Sequence, residues 1–171
     1  LHLIHSIINN NVAVFISPYA TIKGSDNAEP KSFVEAIKHY LCLTLVRNGA
    51  SAVRQVFEIS CEIFWLMTKH LRVMLKKDIE VFLKEMYLAI LDRRSAPLYQ
   101  KQYILNILGR LAEDPRALVE IYLNYDCDRT ALDNMFQRVI EHLSRIASTP
   151  IPISAIQQQA YQDYNGKQGD S

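Results

Sequence analysis

Three consecutive segments, 32–47, 51–68 and 72–91, carry apolar residues around most of a helical circumference, with no alternating strand pattern between them. The second half of the first, Tyr40 to Val46, is apolar nearly all round. The next carries Val53, Val56, Phe57, Ile59, Cys61, Ile63, Phe64, Trp65, Leu66 and Met67, and the third runs from Val73 through Ile79, Phe82, Met86 and Tyr87 to Leu91. Helices this apolar must each bury more than one face, and short connections place consecutive helices side by side. The expected fold is therefore all-α, an armadillo/HEAT-like helical stack of about six to eight helices. No clean repeat of about 40 residues recurs, so this expectation rests on helix pairing and not on self-similarity.

Local signals place the helix ends. Ser32 followed by Glu35 forms a capping box, and Asn48-Gly49 closes that helix. Pro97 opens a helix with a single stripe of Tyr103, Ile104, Ile107, Leu108 and Leu111, which predicts a solvated opposite side. Asp114 at a cap and Pro115 at the first helical position open the next. Leu132, Met135, Phe136, Val139, Ile140, Leu143 and Ile146 then mark one face of a last long helix, stopped by Thr149-Pro150-Ile151-Pro152. Leu1 to Ile8 reads as the end of an amphipathic helix. Residues 20–31 read as a polar, mobile loop, and 148–171 as a polar, flexible tail.

Between the Asp114 helix and the last one stand Asn124, Tyr125, Asp126, Cys127 and Asp128. They are expected to form a corner. Asn124 tolerates the left-handed conformation that closes a helix. Asp126 or Asp128 can accept hydrogen bonds from the free N–H groups of the last helix. Tyr125 and Cys127 are expected to hold the corner from inside, and any carboxylate left outside the caps to face a partner.

This five-residue stretch resembles the signature box of the HUS (homology upstream of Sec-seven) domain of large Arf guanine-nucleotide exchange factors: Asn, then Tyr or Phe, then Asp-Cys, then Asp or Asn. Phe33 to Cys42, Val56 to Ser60, Ile79 to Glu85 and the approach Val119 to Asp126 also resemble that domain, in the same order, and the likeness is closest to the trans-Golgi branch. It covers residues 1–147, the expected domain, which then belongs to a longer protein. The resemblance implies a non-catalytic regulatory and assembly role. It implies action with the N-terminal dimerisation domain of the same protein, Arf-family GTPases as partners, and a cytoplasmic location peripheral to Golgi membranes through possible indirect membrane association. The box, Asn124 to Asp128, is the implied interaction site. Catalytic, cofactor-binding and metal residues are not expected. A generic helical-repeat interaction scaffold unrelated to Arf is the competing reading.

Other chemistry finds little support. A net charge of +1 argues against a dedicated nucleic-acid binder. The five glycines are isolated, so no phosphate-binding loop is present. Cys42, Cys61 and Cys127 are scattered and odd in number, which fits a reducing compartment better than a disulfide framework. His2 and His5 lack further ligands at zinc spacing, and Cys42, three residues after His39 on an apolar helix, is expected to be buried and inert. No apolar run reaches the roughly 20 residues needed to span a bilayer. Lys69, His70, Arg72, Lys76 and Lys77 form the densest basic cluster, expected to be a solvated helix start.

Overall fold

The structure, a computed structural model, describes residues 1–23 and 29–150. The helices are α1 (His2–Asn10), α2 (Val12–Ile16), α3 (Phe33–Asn48), α4 (Arg54–Leu71), α5 (Lys76–Phe82), α6 (Ala89–Asp92), α7 (Leu98–Ala112), α8 (Pro115–Ile121) and α9 (Met135–Ser148). A π-helical turn, Leu83–Leu88, joins α5 to α6 as one rod, and a second, Tyr122–Asp126, extends α8. The expected all-α stack is therefore present. Its only departure among the described residues is a two-residue antiparallel ladder, β1 (Thr21–Ile22) with β2 (Lys31–Ser32), where a plain loop was expected. Most of that loop, 24–28, and the tail from 151 onward lie outside the described residues.

α4 is the central element. It packs against α1, α2, α3, α5 and α7, and Phe57, Cys61, Ile63, Phe64, Met67 and Leu71 are each at most 1% exposed. The ring of Phe64 meets Phe82 and Tyr87 edge-on, with centroids 5.3 and 4.8 Å apart, tying α4 to the α5–α6 rod. α7 buries Ile104, Ile107, Leu108 and Leu111 and leaves its other side to solvent, as its single stripe predicts. Tyr99 and Tyr103 both pack on Phe57 at 6.1 Å.

Caps fall where the sequence places them. Ser32 Oγ accepts from Glu35 N at 3.2 Å, and Asp114 accepts from the N–H groups of Arg116 and Ala117 at 3.1 and 3.3 Å. α3 ends at Asn48 as expected, although Gly49 is right-handed helical. Its requirement for glycine is close approach: an added Cβ would stand 2.3 Å from Met86 Sδ and 2.8 Å from Leu45 O. α3 departs from expectation in burial. It buries one face, Val34, Leu41 and Leu45, while Tyr40, Leu43 and Val46 are exposed. No neighbouring helix covers that side among the described residues. No described helix is long and apolar enough to cross a membrane.

Candidate functional site: the corner at residues 122–137

Asn124 to Asp128 do form a corner, and its anchor is the start of the α5 rod. Lys76, Glu80 and Lys84, at four-residue spacing, lie along one line of that rod, Arg72 stands in the turn just before it, and each of the four reaches the segment from α8 to α9. Arg72 pairs with Glu120 and approaches Asp114 at 3.7 Å. Lys76 pairs with Asp128, and its backbone carbonyl accepts from the Tyr125 hydroxyl at 2.8 Å. Glu80, 2% exposed, accepts from the N–H groups of Leu132 and Asp133 at 2.6 and 3.0 Å. Lys84 lies 3.8 Å from Asp133. The partners follow in the same chain direction, 120, 125–128, 132–133, so the corner is laced to the rod along its length.

Asp126 supplies the remaining anchor. Its two carboxylate oxygens accept from Phe136 N at 2.8 Å and Gln137 N at 2.9 Å. It thus caps α9 from ten residues away, answering two of the donors that a helix start leaves unpaired. Of the two candidate caps, Asp126 fills the role and Asp128 does not. Asp128 also accepts from Thr130 N at 2.8 Å and Thr130 Oγ1 at 2.9 Å. The Lys76 hydrogen bond, followed by the two from Thr130, holds its carboxyl below the usual carboxylate range. Asp128 therefore faces the rod, and neither box carboxylate is left free for a partner. Tyr125 is 3% exposed, and burial, with the nearby Glu80 and Asp78 charges, raises its phenol above the ordinary value. It holds the corner from inside, as expected.

Two expectations for the box are corrected. Cys127 is exposed and not an internal clamp. It is the residue at which the chain leaves the π-helical turn, its N–H donating to Tyr122 O at 3.1 Å. Asn124 does not close the helix in a left-handed conformation, since no described residue has a positive φ. The widened π-helical turn ends the helix without that device. The last helix also starts at Met135, so Leu132 lies before it and is 66% exposed.

The corner's outer side is apolar. Val119, Tyr122 and Leu123 are 56%, 48% and 54% exposed, at the i, i+3, i+4 spacing of one helical face. Tyr122 packs edge-on against Phe136 at 5.8 Å, joining this strip to α9. The anchoring role of Arg72, Lys76, Glu80 and Lys84 escaped the sequence reading, which took Arg72 and Lys76 for part of a solvated basic cluster. The visible signal was Glu80, an acidic residue between Ile79 and Val81 in an apolar segment. The basic cluster is no single solvated patch, because Arg72 and Lys76 are committed to the corner. Cys42 is half-buried, its thiol 3.6 Å from Asp78 Oδ1 and pushed up to about 12 by burial and by that charge. His39 turns instead to Tyr40, at 5.4 Å.

Residues 1–134 match the family described as the HUS domain of Mon2/Sec7/BIG1-like proteins. The chain belongs to that family. It is 40% identical over 148 residues to the ADP-ribosylation factor guanine nucleotide-exchange factor sec72 of Schizosaccharomyces pombe, an alignment covering 86% of this chain and 8% of that protein. It is 38% identical over 167 residues to the exchange factor SEC7 of Saccharomyces cerevisiae, covering 98% of this chain and 8% of the relative. With the human brefeldin A-inhibited guanine nucleotide-exchange protein 1 the figures are 43% over 115 residues, 67% of this chain and 6% of the relative. The HUS domain thus spans less than a tenth of these relatives' length. Among the readings drawn from sequence, membership of this family displaces an unrelated helical-repeat scaffold.

Proposed function

We propose that this HUS domain is a non-catalytic regulatory and assembly unit of a large Arf guanine-nucleotide exchange factor, working with the N-terminal dimerisation domain of the same protein. Together they act in recruitment to Golgi membranes and in control of the catalytic domain, with Arf-family GTPases as partners. The observation that carries this reading is the division of labour at the corner. Tyr125, Asp126 and Asp128 are engaged internally, and what the rigid corner presents outward is Cys127 and the strip Val119, Tyr122 and Leu123. The box then serves binding by holding that strip in place, and supplies a shape more than a set of contacts.

Calorimetric titration with the purified dimerisation domain of the parent protein tests this. Leu123→Asp should weaken binding at least tenfold with an unchanged melting temperature, because Leu123 is exposed. Asp126→Ala should weaken binding by more than its loss of stability explains. Equal, small losses in both assays, or no effect of Leu123→Asp, would remove the corner from the interface. Nucleotide exchange on Arf by this chain alone should stay at the uncatalysed rate.

A further inference from the structure

A second surface lies at the other end of α9, which at about 1.5 Å per residue is roughly 20 Å from the capped corner. A groove of about 640 Å³ opens there between α7 and the end of α9. One wall is the α7 face Leu98, Lys101, Gln102 and Leu105; the other carries Ile146 and Pro150, with Leu91 behind. Leu98 is 71% exposed and Ile146 36%. One wall is a face of α7 and the other the last turn of α9 with Thr149 and Pro150, and no strand lines the groove, so it offers no sheet edge for adding a strand. On α7 the apolar lining is Leu98 and Leu105, two turns apart with Lys101 and Gln102 between them, and with Ile146 opposite they make a short apolar line that suits the ridge of another helix.

Charge narrows the occupant further. The lining holds one carboxylate, Asp92, against Arg94, Lys101 and Arg145. Asp92 is already taken, by Arg145 and by His142 Nε2 at 3.4 Å. Arg94 and Lys101 make no ion pair among the described residues. We propose that this groove docks an amphipathic α-helix of a partner protein, its apolar ridge seated on Leu98, Leu105 and Ile146 and an acidic edge facing Arg94 and Lys101. This surface is separate from the corner and does not depend on the role given to the box.

The test uses the full chain and a fluorescent synthetic helical peptide with Leu at ridge positions and Glu along its edge, beside the same peptide with Lys for Glu. The Glu peptide should bind at least tenfold more tightly than the Lys peptide. Arg94→Glu with Lys101→Glu should reverse that order, and Leu98→Asp should weaken both peptides tenfold while leaving the melting temperature unchanged. Equal binding of the two peptides, or no binding, overturns the proposal. So does a Glu peptide that binds more than tenfold better once Ile151 and Ile153 are changed to Asp, which gives the groove to the chain's own continuation. Self-association abolished by Leu98→Asp would give it to a second copy. Phosphatidylserine vesicles captured through Arg94 and Lys101, without peptide binding, would make it a lipid contact.

Discussion

Replacing Asp126 by Ala removes the acceptor of two amides at the start of α9, Phe136 N and Gln137 N. Loss of a side-chain cap typically lowers stability by about 1 kcal/mol. Loss of a carboxylate at the positive end of a helix adds about 0.5 kcal/mol. Gln137 is exposed, so water can answer its amide; Phe136 is half-buried, so its amide is harder to hydrate. The expected loss is therefore about 1.5 kcal/mol. For a chain of this size that is a fall in melting temperature of roughly 3–6 °C. Urea unfolding followed by circular dichroism should show a lower midpoint with an unchanged slope, since no additional surface is exposed. Asp126→Asn keeps a carbonyl acceptor and should lose about half as much. A loss below about 0.3 kcal/mol for Asp126→Ala would refute the cap.

Four further outcomes follow from the structure. Glu80→Leu leaves Leu132 N and Asp133 N without their acceptor and should lower stability by about 2–3 kcal/mol in the same urea assay, while Cys127→Ser, at an exposed position, should be close to neutral. Gly49→Ala forces a methyl against Met86 and the Leu45 carbonyl and should lower stability by about 1–3 kcal/mol, against the gain usual when glycine is replaced. His70 and His142 are both held below the ordinary histidine value, chiefly by burial, with Asp92 opposing that trend at His142. The unfolded chain then binds more protons below about pH 6.5, so stability is present above that value and falls as pH drops through it. Melting curves from pH 7.5 to 5.5 should show this decline, reduced in His142→Gln.

The parts of the fold that were legible in sequence are those written over three or four residues. Ser32 with Glu35 and Asp114 with Pro115 declare helix starts because a cap and its donors are near neighbours. The broad apolar pattern of α4 declares that it buries more than one face, although not that it is the central element. The corner's location was legible, and so were the inward Tyr125 and the cap from Asp126. Its fastening was not, because Arg72 with Glu120, Lys76 with Asp128 and Glu80 with Leu132 join residues about fifty positions apart. Cys127 was misplaced for a related reason: a small apolar residue fits inside or outside a turn, and the π-helical turn that sends it outward has no sequence signature of its own. α3 has the opposite problem. Its residues Tyr40, Leu43 and Val46 look like core, and only the positions of neighbouring helices reveal that this side is bare.

The rigidity of the corner is open to direct measurement by native-state hydrogen exchange, read at single amides. Leu132, Asp133, Phe136 and Gln137 donate to the side chains of Glu80 and Asp126 and not to a helical backbone carbonyl. Strong protection at all four, released at Phe136 and Gln137 in Asp126→Ala and at Leu132 and Asp133 in Glu80→Leu, is the expected result. Exchange of these amides in the unmodified chain as fast as at exposed positions such as Tyr19 would show a loose connector, and would contradict a fixed corner held from within.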